Sequence, residues 1–225
     1  MTPQSVMIFA AGKGTRMGAL TAHVPKPLIP VAGRPLIDHA LALTGGLHRV
    51  VNVHHLAPQL VAHLAGQPDL AISDETDFLR ETGGGLRHAL PLLGPEPVFT
   101  LNSDAVWRGP NPLTVLARAW DPARMDGLVL LMRPEDTRGH AFVSGFCTDD
   151  QMRITRGLQH FYPGAQILRT EGLADIPDEV FSLNLLWDRM IAAGRLYGVL
   201  YDGLWCDVGR PENIATAEEM LDAVS

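Results

Sequence analysis

The chain has 225 residues, 46% of them hydrophobic and 19% charged, a balance that suits one globular domain with a sizeable core and excludes a disordered or coiled-coil chain. Its net charge of −7, with no run of Lys and Arg, excludes the basic footprint of a nucleic-acid binder or of a protein drawn to anionic membranes. Two cysteines, Cys147 and Cys206, make neither a disulfide framework nor a metal-ligand spacing, so reduced thiols and a cytoplasmic setting are expected.

The opening MTPQSVMIFAAGKG carries no basic leader and no apolar run approaches membrane-spanning length, so neither a secretory signal nor a membrane span is expected. SVMIFAA reads as a buried strand. It runs into GKGTRMG, a glycine-rich turn carrying Lys13 and Arg16. Glycines let a backbone approach an anion closely while Lys and Arg neutralise it, so this turn suits phosphate, although a tight strand-to-loop corner would also use glycines. Two common phosphate templates fail. A Walker A loop needs Gly-Lys-Ser/Thr after its spacer, and a dinucleotide fingerprint needs Gly or Ala where Met17 stands, with a helix close behind. Instead, Pro25, Pro27, Pro30 and Pro35 stiffen the next segment and hold Lys26 at a fixed place.

From there RPLIDHALALTGG reads as a helix, RVVNVHH as a strand, PQLVAHLAG as a helix and LAISDE as a strand. GGGLRHALPLLG (helix), EPVFTLNSD (strand), NPLTVLARAW (helix) and DGLVLLMRP (strand) continue the alternation. This βαβ rhythm predicts a mostly parallel sheet with helices on both faces. It breaks around residues 138–172, which read as an insertion of short strands and turns, and resumes with FSLNLLWDRMIAAG (helix), LYGVLYD (strand) and RPENIATAEEMLDAV (helix). No repeat or low-complexity linker divides the chain, so a single domain over 1–225 is expected.

AAGKGTRM and PKPLIPVAGRPLI near the start, ETGGGLRHAL and LNSDAVW in the middle, and WCDVGRPENIATAE near the end together resemble the sugar-1-phosphate nucleotidylyltransferases, in family order and over nearly the whole chain. The resemblance implies a Rossmann-like three-layer α/β/α nucleotidyltransferase fold with a mostly parallel central sheet, and a sugar-binding role for the insertion around 138–172. It implies an enzyme that uses Mg²⁺ to transfer a nucleotidyl group from a nucleoside triphosphate to a sugar-1-phosphate, releasing pyrophosphate. The chain is most similar to the short bacterial N-acetylmuramate-1-phosphate uridylyltransferases of cell-wall recycling, with mannose-1-phosphate guanylyltransferases next. The alternatives are a non-catalytic nucleotide-sugar binding protein of the same fold and, against the Met17 objection, an NAD-dependent oxidoreductase. No β-helix acetyltransferase domain is expected after WCDVG, and base, sugar and oligomeric state stay open.

The chemistry itself calls for these residue types. A sugar phosphate oxygen attacks the α-phosphorus in line, and a phosphate monoester is already largely ionised at neutral pH, so no general base is needed. The difficulty is to bring two polyanions together, which requires cations, amide donors and a carboxylate-held Mg²⁺. The chain has two lysines among its eighteen cationic residues, and they are Lys13 and Lys26. By resemblance Arg16 clamps the terminal phosphates and Lys26 sits between the α-phosphate and the sugar phosphate. Ala11, Gly12, Lys13, Gly14 and Thr15 form the phosphate-binding turn, with an exposed surface Lys13 as the alternative. Asp104 ends the strand VFTLNSD and Asp207 closes the short apolar run LWC in LWCDVG, and each is either a turn cap or a metal ligand; in this motif set they are expected to hold Mg²⁺. Relatives often have Gly where Ser103 stands.

Three glycines, Gly83, Gly84 and Gly85, with Glu81 and Thr82 just before them, open a helix whose bare amides would face the base. TRGHAFVSGF and FYPGAQILR fall where the family places sugar contacts, giving Gly139 and Gly164, with Asn102, as sugar-binding candidates. Asn52 and Asn102 could equally satisfy backbone groups. His54 and His55 stand side by side after a strand, point to opposite faces and read as satisfied or exposed histidines rather than metal ligands.

Overall fold

A computed structural model describes residues 2–94, 97–139 and 145–223. The first half lays down β1 (Ser5–Phe9), the short hairpin β2 (Pro30–Val31) and β3 (Arg34–Pro35), α1 (Leu36–Ala42), β4 (His48–Val53), α2 (Ala57–Leu64), β5 (Leu70–Asp74) and α3 (Glu81–Leu93). Then come β6 (Val98–Asn102), β7 (Ala105–Arg108), α4 (Pro112–Ala119), β8 (Gly127–Leu131), β9 (Thr137–Arg138), β10 (Gly145–Thr148), β11 (Ile154–Gly157) and β12 (Ala165–Leu168). The chain closes with α5 (Asn184–Ala192), β13 (Leu196–Leu200), β14 (Leu204–Asp207) and α6 (Glu212–Asp222).

Seven strands form the central sheet in the order β13-β8-β12-β6-β1-β4-β5, and β12 runs antiparallel to both its neighbours while the other pairings are parallel. Because side chains alternate along a strand, Val6, Ile8, Val51, Val53, Phe99 and Leu101 join the core under α1, α2 and α4. Met7, Val50, Val98, Val129 and Leu131 join the other, under α3 and α5. Both faces of the sheet are covered, which is why its strands read as continuous apolar runs. The expected three-layer α/β/α arrangement is therefore present.

The middle of the chain departs from the expectation of one insertion over 138–172. Ala165–Leu168 is a buried strand inserted between β8 and β6, and a run of four residues was too short to declare itself amid turn residues. Outside the main sheet lie the β10–β11 hairpin and a three-stranded sheet, β7-β14-β9. Residues 140–144, within the stretch TRGHAFVSGF, lie outside the described residues. The sixth helix packs Ala217 and Met220 against Val106 of β7 and Cys206 of β14, together with Met17, Ile29, Val31 and Leu36 from the opening segment.

Candidate active site

At the carboxyl ends of β1, β4 and β6 lies a cavity of about 240 Å³, walled by Ala11 and Gly12 on one side, Glu81 and Thr82 on another, and Asn102 and Asp104 on a third. Open parallel sheets place their ligands at this end. The Ala10 amide donates to Asn52 Oδ1 (2.7 Å), Asn52 Nδ2 donates to Glu75 Oε1 (2.8 Å), and the Arg80 amide donates to Glu75 Oε2 (3.0 Å). Glu75 is 0% exposed. This buried carboxylate thus ties the glycine-rich wall to the segment that leads into α3. Of the two readings for Asn52, backbone satisfaction is the observed one, although the residue also borders the cavity. Glu75 was not a candidate from the sequence; its only signal is an acid closing the apolar run LAISDE.

Lys26 follows extended Pro25 in a short 3-10 turn and is buried. Its Nζ lies 2.8 Å from Asp104 Oδ2. Gly14, at φ +64°, is required here, because a Cβ would press on Lys26 Cβ at 2.9 Å and Thr21 Cγ2 at 3.0 Å. Burial by itself raises the Asp104 carboxyl pKa, but the charge and hydrogen bond of Lys26, with the Arg16 charge behind them, outweigh it and hold the group below the usual carboxylate range.

Antiparallel pairing of β7 and β14 brings the backbones at Asp104 and Asp207 side by side, setting Asp207 opposite Ala105 and letting the Val208 amide donate to the Asp104 carbonyl (2.9 Å). Arg16 reaches over from the glycine-rich turn, its Nη1 3.8 Å from Asp207 Oδ2. Ser103, where relatives often have Gly, donates its hydroxyl to the Phe9 carbonyl (2.7 Å) and so staples the ends of β6 and β1. Two hard carboxylate oxygen donors suit Mg²⁺, which takes one or two carboxylates and completes its shell with phosphate and water. Among the described residues no cluster of three or more His, Cys, Asp or Glu could hold a metal without help from a ligand.

The helix-opening glycines serve differently from the expectation. The amides of Gly83 and Gly84 both donate to the Phe181 carbonyl (2.9 and 3.0 Å), so they are not free to meet a base. A Cβ on Gly83 would collide with the Phe181 ring, and one on Gly84 with the Glu179 carbonyl. These glycines let α3 press against the 179–181 segment, leaving Glu81 and Thr82 as the cavity-facing residues of the motif. Glu81 holds φ +59°, an uncommon conformation for a residue with a side chain.

Asn102 and Gly164 are in contact, the Asn102 amide donating to the Gly164 carbonyl (2.9 Å). Gly139 is not with them: its carbonyl accepts from Asn213 Nδ2 (2.7 Å), and a Cβ there would strike the Asp207 carbonyl. Lys13 and Thr15 are exposed and do not line the cavity. His54 and His55 are satisfied by the carbonyls of Glu75 and Thr21 (2.7 and 3.2 Å).

A family model described as a MobA-like NTP transferase domain matches residues 6–169. An N-acetylmuramate alpha-1-phosphate uridylyltransferase from Caulobacter vibrioides is 41% identical, with 97% of each chain covered. A mannose-1-phosphate guanylyltransferase catalytic subunit beta from Danio rerio is 28% identical over 93% of this chain and 62% of its own. Among solved structures, HddC from Yersinia pseudotuberculosis complexed with GMP-PN superposes with a TM-score of 0.75 at 17% identity, covering 99% of this chain and 100% of that one.

Proposed function

Since the chain belongs to the MobA-like NTP transferase family, and is thus a nucleotidyltransferase, we propose that it joins uridylyl from UTP to N-acetylmuramate-1-phosphate in a reducing, cytoplasmic setting, releasing pyrophosphate. The observation that carries the reading is the Lys26–Asp104 pair lining a cavity that the glycine-rich turn also walls. The high similarity, along almost its full length, to a relative named for that reaction supports the substrate choice. Two free thiols, Cys147 and Cys206, suit the compartment.

In this reading the turn from Ala11 through Thr15 receives the triphosphate, with Gly12 letting its backbone approach and Arg16 facing the β- and γ-phosphates. Lys26 sits where the α-phosphate and the sugar phosphate meet, so its charge offsets their mutual repulsion and steadies the negative charge that grows there in the transition state. Glu81 and Thr82 face the base, while Gly83 and Gly84 shape that wall by close packing. Asn102, with Gly164 behind it, turns toward the sugar, and Gly139 supports the site from behind Asp207. Asp104 and Asp207 would hold Mg²⁺, which when bound supplies a second positive charge on the phosphates. No side chain need remove a proton, because the attacking phosphate is already ionised.

The substrate choice is tested by kcat/KM for N-acetylmuramate-1-phosphate with UTP against mannose-1-phosphate with GTP. The first pair is expected to be preferred at least tenfold. A clear preference for the second would replace the substrate assignment and leave nucleotidyl transfer intact.

A further inference from the structure

A second cavity, of about 590 Å³, lies between the β10–β11 hairpin and the first turn of α5, lined by Phe146, Arg156, Leu158, Phe161, Tyr162 and Trp187 among others. Its lining has no residue in common with that of the first cavity, but two hydrogen bonds bring the walls close together. Thr82 of the first cavity accepts a hydrogen bond from the Leu183 amide (3.0 Å), and the next residue, Asn184, lines the second. Asn102 of the first bonds the Gly164 carbonyl, two residues beyond Tyr162 of the second. The second cavity therefore neighbours the first on the side of Thr82 and Asn102.

The walls are aromatic: Trp187 meets Phe146 and Tyr162 edge-on, with ring centroids 5.5 and 5.0 Å apart. Over them lies one cation, the Arg156 guanidinium, 5.2 Å from the Phe146 ring centre and 5.7 Å from that of Trp187. Arg156 Nε and Nη2 bond Asp188 Oδ1 (3.0 and 2.8 Å), and Nη2 also lies 3.4 Å from the Asn184 carbonyl. Nη1 has no hydrogen-bond partner among the described residues. Two other arginines of this region are engaged elsewhere: Arg138 with the carbonyls of Glu135 and Thr137, and Arg169 with Pro122, Met125 and Asp126.

Resting on the uridylyl-transfer reading above, we propose that this cavity takes an acidic side arm carried by the sugar, with the arm's carbon atoms against Phe146 and Trp187 and its carboxylate on Arg156 Nη1. A chain of net charge −7 accepts a carboxylate best beside a local cation, and the Arg156 side chain, 41% exposed, is accessible to one as a charge-assisted donor. Asp188 opposes it, since it shares the guanidinium and repels a second carboxylate. That opposition fixes the sign of a second variant.

The test measures kcat/KM with UTP for N-acetylmuramate-1-phosphate and for N-acetylglucosamine-1-phosphate, which lacks the acidic arm, in the unaltered chain and in Arg156→Gln, Arg156→Lys and Asp188→Asn. Arg156→Gln is expected to lower the ratio of the two values roughly tenfold, the scale of one charge-assisted hydrogen bond, mainly through KM. Arg156→Lys should recover part of it, and Asp188→Asn should raise it. If Arg156→Gln lowers both sugars alike, or leaves the ratio where it was, the subsite is overturned while the transferase reading stands. If the unaltered chain does not use the acidic sugar but releases pyrophosphate with another pair, the substrate reading falls and this inference with it.

Discussion

The buried tie from Ala10 through Asn52 to Glu75 should behave as a matched set of donors and acceptors. The Glu75 carboxylate, 0% exposed, takes two donors, Asn52 Nδ2 and the Arg80 amide, one on each oxygen (2.8 and 3.0 Å). Glu75→Gln keeps one acceptor oxygen and turns the other position into a donor, so one buried N–H is left facing another. An unmet buried donor costs about 1–3 kcal/mol, which for a chain of this size lowers Tm by roughly 2–12 °C. Asn52→Asp should be worse, because two carboxylates then face each other without solvent. The double variant restores the pattern in reverse: the introduced amide nitrogen donates to the introduced carboxylate, the amide oxygen accepts from the Arg80 amide, and the carboxylate's other oxygen still accepts from Ala10. Its Tm should therefore exceed that of either single variant. KM for the nucleotide should follow the same order, since Ala10 and Asn52 both line the cavity and a loss of positioning worth about 1.4 kcal/mol raises KM about tenfold. Thermal unfolding and initial-rate kinetics on the four proteins decide it. Additive losses in the double variant would refute the argument, because independent sites add and coupled ones do not.

Asp104→Asn and Asp207→Asn should each abolish turnover with little change in far-UV circular dichroism, and near-normal rates at saturating Mg²⁺ would remove that residue from the metal site. Lys26→Ala should lower kcat by roughly 10²-fold; a change confined to KM would assign it to binding alone. Gly84→Ala should destabilise by about 1–3 kcal/mol because its methyl meets the Glu179 backbone carbonyl, whereas Gly12→Ala, with nothing within 4 Å of its new Cβ, should change stability by less than about 0.5 kcal/mol yet impair nucleotide binding. Burial pushes the Tyr201 phenol up to about 12 and raises that of Tyr162 as well. The stability this brings is complete below the ordinary phenol value of about 10 and is lost as pH rises toward the folded value. Alkaline denaturation should therefore set in above roughly pH 10, and spectrophotometric titration should show these two phenols ionising together with unfolding rather than before it.

Much of the fold was legible because a sheet covered on both faces writes itself as apolar runs separated by helices of period about 3.6. The strand Ala165–Leu168 escaped because four buried residues amid turns have too little length to distinguish a sheet strand from a loop. The candidate site was legible as residue types, Lys26, Asp104 and Asp207, each at the end of a stiff or apolar segment. What could not be read was their meeting: Asp207 reaches Asp104 only through the register of β14 against β7, a pairing between segments about a hundred positions apart. The glycines of ETGGGLRHAL were legible as a requirement for close approach, but what approaches Gly83 and Gly84 is the 179–181 segment and what approaches Gly85 is the Glu75 carboxylate, both named only by the tertiary fold. Glu75 was invisible for the same reason, since an acid after a strand looks like a solvated turn until Asn52 and the Arg80 amide are seen to close on it.

Nucleotidyl transfer to a sugar phosphate is decided by incubating the purified chain with Mg²⁺, UTP and N-acetylmuramate-1-phosphate and measuring pyrophosphate and nucleotide sugar in the same sample. One pyrophosphate per nucleotide sugar is expected, and no pyrophosphate when the sugar phosphate is left out. Pyrophosphate without nucleotide sugar, or none from any pairing of UTP, GTP, dTTP or CTP with a panel of sugar-1-phosphates, would contradict it.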